Sequence, residues 1–217
     1  MNRWLFLCFL LLGFSAASQP RLKGGLESFV MSNKVYPPYS LHNCIQGVVN
    51  IEFKLNDRGE VFYSAVRSGV GTDLDQEALR LIRLSSGKWE VPPGHDSTLV
   101  LIAPMVFELT GYGCEGKTKT EINLAIANYI SNTALTDVIL NFYKNRGTVG
   151  YKPEDEARFA RLKEELGYDE AYFGERIKDG KRKLKQKDFQ GACEDFMFVK
   201  NMGSNLADQL IAQYCRN

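Results

Sequence analysis

Thiols are the side chains of this chain best suited to chemistry. The 217 residues include five cysteines, Cys8, Cys44, Cys114, Cys193 and Cys215. None of their spacings is that of a zinc site, which leaves disulfide formation in an oxidising compartment as the chemistry open to them. If Cys8 leaves with the leader described below, the remaining four allow three connectivities. The two histidines, His42 and His95, lie in polar, loop-like sequence and read as surface residues, a poor supply of general bases or metal ligands. Asp73 and Asp75 are paired carboxylates, but they sit at the start of a helical pattern, where capping and the helix dipole account for them. No Gly-rich phosphate loop, nucleophile elbow or metal-ligand cluster occurs. The expectation is a protein that is not an enzyme and uses no cofactor and no metal.

The rest of the composition narrows the class. A 44% hydrophobic content over this length supports one domain or two small ones, and a net charge of +1 argues against a nucleic-acid binder. The dense basic run "KDGKRKLKQK" falls on a helical pattern and reads as a solvated face. Residues 1–18 read as a signal peptide: Arg3, the apolar run "WLFLCFLLLGF", then Ala16, Ala17 and Ser18 as the cleavage site. The run is short of the roughly 20 residues of a membrane span. The expected location is periplasmic or exported, with an uncleaved inner-membrane anchor as the alternative.

Leu26, Phe29 and Val30 have the spacing of a short helix. Pro37 and Pro38 then predict a stiff, extended lead-in at "YPPYS". Val49, Ile51, Phe53 and Leu55 alternate with polar residues, the period of a strand with one buried face. The "NDRG" tetrad at 56–59 turns it into a second strand at 61–66. Asp73 as N-cap with Gln76, followed by Leu74, Ala78, Leu81 and Ile82, predicts a helix that Gly87 ends. Trp89 is an apolar anchor, and residues 99–109 form a last apolar strand, which Pro104 assigns to a sheet edge. A right-handed crossover lays this third strand beside the first, with its outer edge either open to another chain or covered by the C-terminal half.

Tyr36 with Pro37, Gly47, Gly59, Leu74 with Asp75, Ala78 with Leu79, and Trp89 with Pro92 appear in the order found in TonB C-terminal domains. Residues 24–110 therefore resemble that family, and the resemblance implies a β-β-α-β fold with a three-stranded antiparallel or mixed sheet. It also implies a periplasmic domain that binds an envelope or outer-membrane protein by strand pairing. The pairing residues would be Leu99, Val100, Leu101, Ile102, Ala103, Met105, Val106 and Phe107. Energy-transducing members carry a membrane helix and a long proline-rich spacer. The few residues between Ser18 and Leu26, at no more than about 3.6 Å each, are too few for such a spacer. The expectation is a docking module rather than a transducer. A membrane-anchored component of energy-coupled outer-membrane transport is the alternative, with membrane contact only if the N-terminal segment stays.

Past the glycine-rich break at 111–117 the pattern is helical. Residues 117–217 are expected to form an all-α region for further protein contact. Leu124, Ala127, Ile130 and Leu135, then Val138, Ile139 and Phe142, read as two amphipathic helices, and Ala157 to Leu166 as a third. Gly180, Phe189, Ala192 and Phe196 match the small and aromatic positions of one tetratricopeptide-like hairpin, with "NLADQLIAQYC" as its capping helix; an ordinary helical hairpin is the alternative. If the first and third strands are antiparallel neighbours, Cys44 and Cys114 lie at one end of the sheet, while Cys193 and Cys215 lie on adjacent antiparallel helices. The predicted bonds are Cys44–Cys114 and Cys193–Cys215; the alternative is buried free thiols.

Overall fold

The computed structural model describes residues 19–148 and 151–215, and the expected leader at 1–18 lies outside them. The chain is mixed α and β. Strand β1 (Arg21–Leu22) leads into helix α1 (Leu26–Asn33), whose Leu26, Phe29 and Val30 pack on the first core as their spacing predicts. Helix α2 (Pro38–His42) corrects the extended reading of "YPPYS". Pro37 is extended, but Pro38 occupies the first helical turn, where a missing N–H costs nothing.

In β2 (Gly47–Leu55) the side chains of Val49, Ile51, Phe53 and Leu55 are all buried. The turn that follows is held by Asn56, whose side-chain oxygen accepts from Arg58 N and Glu60 N, and by Gly59 at φ +72°. A Cβ on Gly59 would collide with the Trp89 carbonyl, so the position needs glycine for both space and backbone angle. Strand β3 (Val61–Ser68) returns antiparallel to β2, and helix α3 (Asp73–Leu84) packs on the sheet. Thr72, not Asp73, is the N-cap of α3, and it makes no side-chain cap. The two carboxylates instead hold loops: Asp73 accepts from Tyr39 N and the Ser40 hydroxyl, Asp75 from Val70 N and Gly71 N. Strand β4 (Trp89–Glu90) pairs with β1 in a small ribbon that the sequence did not foretell. Strand β5 (Leu101–Phe107) then runs antiparallel to β2, giving the order β3-β2-β5.

The two expected helices after the glycine break are one. Helix α4 (Lys119–Lys144) starts at a Thr118–Glu121 capping box, and no Gly or Pro interrupts it. Its apolar pattern shifts phase because it changes neighbours midway: Ile122, Ala125 and Ile126 join the first core, Ile139 and Tyr143 the second. Leu124, Ile130, Leu135 and Val138, read as a buried stripe, are 40–61% exposed. Helix α5 (Glu156–Glu165) precedes the hairpin of α6 (Glu170–Lys185) and α7 (Phe189–Asn201), against which α8 (Asp208–Tyr214) packs. Gly180 permits the close approach of α6 and α7, since a Cβ there would stand 2.5 Å from Phe196 Cε1. Both disulfides form with the expected partners, Cys44–Cys114 and Cys193–Cys215.

Candidate partner-binding edge

A strand exposes an edge only where its backbone groups point away from its neighbour, and in an antiparallel pair they do so at every second residue. Three observations fix which residues of β5 point outward. Val106 O accepts a hydrogen bond from Lys34 Nζ at 3.2 Å, on the side away from β2. Pro104, which has no N–H to give a ladder, has the same parity. On the far side of the sheet, Ser64 lies opposite Phe53 and bonds outward, so Phe53 turns its own backbone to Leu101. Ile102, Pro104 and Val106 therefore form the outward row, and Leu101, Ala103, Met105 and Phe107 bond to β2.

The side chains divide in the same way. Ala103, Met105 and Phe107 are 0–2% exposed and belong to the core, so among the eight expected pairing residues these three support the strand from behind. Ile102 and Val106 are 50% and 45% exposed, and Leu99 and Val100, just before β5, are also exposed. Leu101 is half-buried against Phe53. Beside this half of the strand runs an open groove of about 1070 Å³. The ribbon residues Arg21, Leu22, Trp89 and Glu90 wall one side, and Leu99 to Ala103 the other. Its floor is anchored by the Phe53 and Trp89 rings, 5.0 Å apart.

The C-terminal end of β5 is tied down. Lys34 sits over the Phe107 ring at 5.6 Å, Leu109 N donates to Gln46 Oε1 at 2.8 Å, and the Cys44–Cys114 bond lies beyond. Tyr36 packs edge-on against Phe107 and donates its hydroxyl to Ile45 O at 2.7 Å. Burial, and secondarily the Asp73 carboxylate, push that hydroxyl up to about 12.

The opposite edge is treated differently. The Gln190 carboxamide, from α7, accepts from Ser64 N at 3.2 Å and donates to Ser64 O at 2.9 Å, the pair of bonds that a neighbouring strand would make. Arg83, only 6% exposed, donates to the Ser64 hydroxyl and grips Glu194 through two bonds of 2.8 Å. Asp188, at the start of α7, lies 3.9 Å from Arg83 Nε; burial raises its carboxyl above the usual range, opposed by the Gly191 N–H and Arg83. Among the described residues the helical half thus bonds to β3 at Ser64, and none of its hydrogen bonds reaches β5.

Residues 32–109 match the family model of the Gram-negative bacterial TonB protein C-terminal. No curated protein and no solved structure matches the chain. The TonB C-terminal match runs from the end of α1 to just past β5, so it contains the whole sheet and Lys34, Ser64 and Arg83. Gln190 and Glu194 lie outside it. TonB C-terminal domains are protein-interaction domains of the envelope that work in outer-membrane transport. Among the described residues no group of His, Cys, Asp and Glu could hold a metal ion, and no helix is long and apolar enough to cross a membrane.

Lys34, Ser64, Arg83, Gln190 and Glu194 were not foreseen as functional. No local signal marks them, because each acts through a residue 19 or more positions away: 126 for Ser64 with Gln190, 72 for Lys34 with Val106.

Proposed function

We propose that this chain is an exported, non-enzymatic binding module of the cell envelope that takes an extended segment of an outer-membrane protein onto the β5 edge. The observation that carries the reading is the outward row of Ile102 and Pro104 beside an open groove, in a domain of the TonB C-terminal type. Added strands gain affinity from backbone hydrogen bonds and selectivity from side-chain pockets. Here Ile102 offers both N–H and C=O, Pro104 only its C=O. The tied end at Val106 confines the incoming segment to the groove half of the strand. The helical region offers a second surface for protein contact.

The parity of β5 selects the test. Leu101→Pro would break the ladder to β2, whereas Ile102→Pro removes an outward N–H and leaves that ladder intact. Capture from envelope extract is expected to lose its specific partners with Ile102→Pro while the protein keeps its wild-type melting temperature. Equal capture by both proteins would refute strand pairing at β5.

A further inference from the structure

We propose that α7 is a lock on the β3 edge, which confines strand addition to β5 and keeps copies of this chain from joining β5 to β3 in series. A sheet with two unlike open edges can add its own copies head to tail, and such an interface does not close on itself. One edge must be shut for the protein to bind a partner strand without polymerising.

The seam has the features of a lock rather than of a shared core. Gln190 reproduces the hydrogen bonds of a strand, and Arg83 ties the same spot to Glu194. The side chains that bond across it, Ser64, Arg83, Gln190 and Glu194, are polar, and so is Asp188 beside Arg83. The two apolar cores lie in separate clusters, with α4 contributing to both. A 350 Å³ cleft at the seam leaves Phe62 and Phe189 more than half exposed. Parting the seam therefore frees the Ser64 N–H and C=O at small cost in buried apolar surface. The head-to-tail consequence rests on β5 being competent to pair, as proposed above; the closure of β3 does not.

The test uses the full chain carrying Arg83→Met and Gln190→Ala, which removes the side-chain bonds across the seam, leaves Glu194 in water, and takes Arg83 away from Asp188, which keeps the Gly191 N–H. In an Ile102→Pro background, where β5 is closed, a labelled synthetic peptide with the sequence of residues 99–109 is titrated. The peptide is expected to bind the seam variant and not the Ile102→Pro protein with an intact seam. Exchange of the Ser64 amide is expected to speed up by about fivefold or more, the loss of roughly 1 kcal/mol of hydrogen bonding. Unchanged exchange at Ser64, or faster exchange without peptide binding, overturns the lock. With Ile102 restored, the seam variant is expected to associate as its concentration rises in sedimentation. Peptide binding without association overturns the head-to-tail part alone. Should the double variant misfold, Gln190→Ala by itself still reads out at the Ser64 amide, where unchanged exchange again overturns the lock.

Discussion

Removing the Cys44–Cys114 bond should cost more stability than removing Cys193–Cys215, because it closes the longer loop. The sequence separations are 70 and 22 residues. In the chain-entropy relation, loops of those lengths restrict the unfolded chain by about 4.4 and about 3.4 kcal/mol. The native state should change little when Cys44 and Cys114 become Ala. Cys44 N still donates to Leu41 O, Ile45 N to Ser40 O at 2.9 Å, Lys117 N to Cys114 O at 3.1 Å, and Leu109 N to Gln46 Oε1, so the chain on either side of the former bond keeps its local hydrogen bonds. With a urea m-value of about 2 kcal/mol/M, the midpoint should fall by about 2 M, with m itself nearly unchanged. The folded variant should keep its β2–β5 ladder. A loss below about 1 kcal/mol, or a larger loss from Cys193→Ala with Cys215→Ala, would refute the argument from loop length.

Two further outcomes test the packing. Burial, with the Asp73 carboxylate second, pushes the folded Tyr36 hydroxyl up to about 12 from the ordinary tyrosine value of about 10, so its contribution is complete below pH 10 and disappears as pH rises to 12. Discounted for partial solvent screening, the effect is about 1–2 kcal/mol; Tyr36→Phe should be less stable at neutral pH by about 1 kcal/mol, and urea titrations should show the gap narrowing between pH 10 and 12. A constant gap would contradict the burial argument. Gly180→Ala should lose about 1–2 kcal/mol, since overpacking against Phe196 outweighs about 1 kcal/mol of helix propensity. Adding Phe196→Leu should cost less in that variant than in the wild type, and simple additivity of the two melting-point losses would deny the contact.

Local periodicity carried much of the fold. The alternation from Val49 to Leu55 placed β2 and its buried face, and Pro104 placed β5 at an edge, because a missing N–H acts wherever the chain goes. The two cysteine pairs followed from the order of the strands and helices. What escaped depends on distant contacts. Pro38 starts a helix because Asp73, more than 30 positions on, receives the Tyr39 and Ser40 N–H groups. The exposed stripe of α4 carries an apolar period as regular as a buried one, and only its two cores reveal which face turns inward. Which sheet edge meets the helical half depends on Gln190, whose partner Ser64 is 126 residues away.

The central claim, that β5 is where a partner segment joins, is tested most directly by site-specific photo-crosslinking in envelope extract. A photoreactive residue is placed at Ile102 on β5, at Phe62 on β3 and at Leu124 on the exposed face of α4, all of them at least half exposed. Crosslinks to an outer-membrane protein from position 102, absent from position 62, are the predicted result. Crosslinks from 62 or 124 with none from 102 would contradict it.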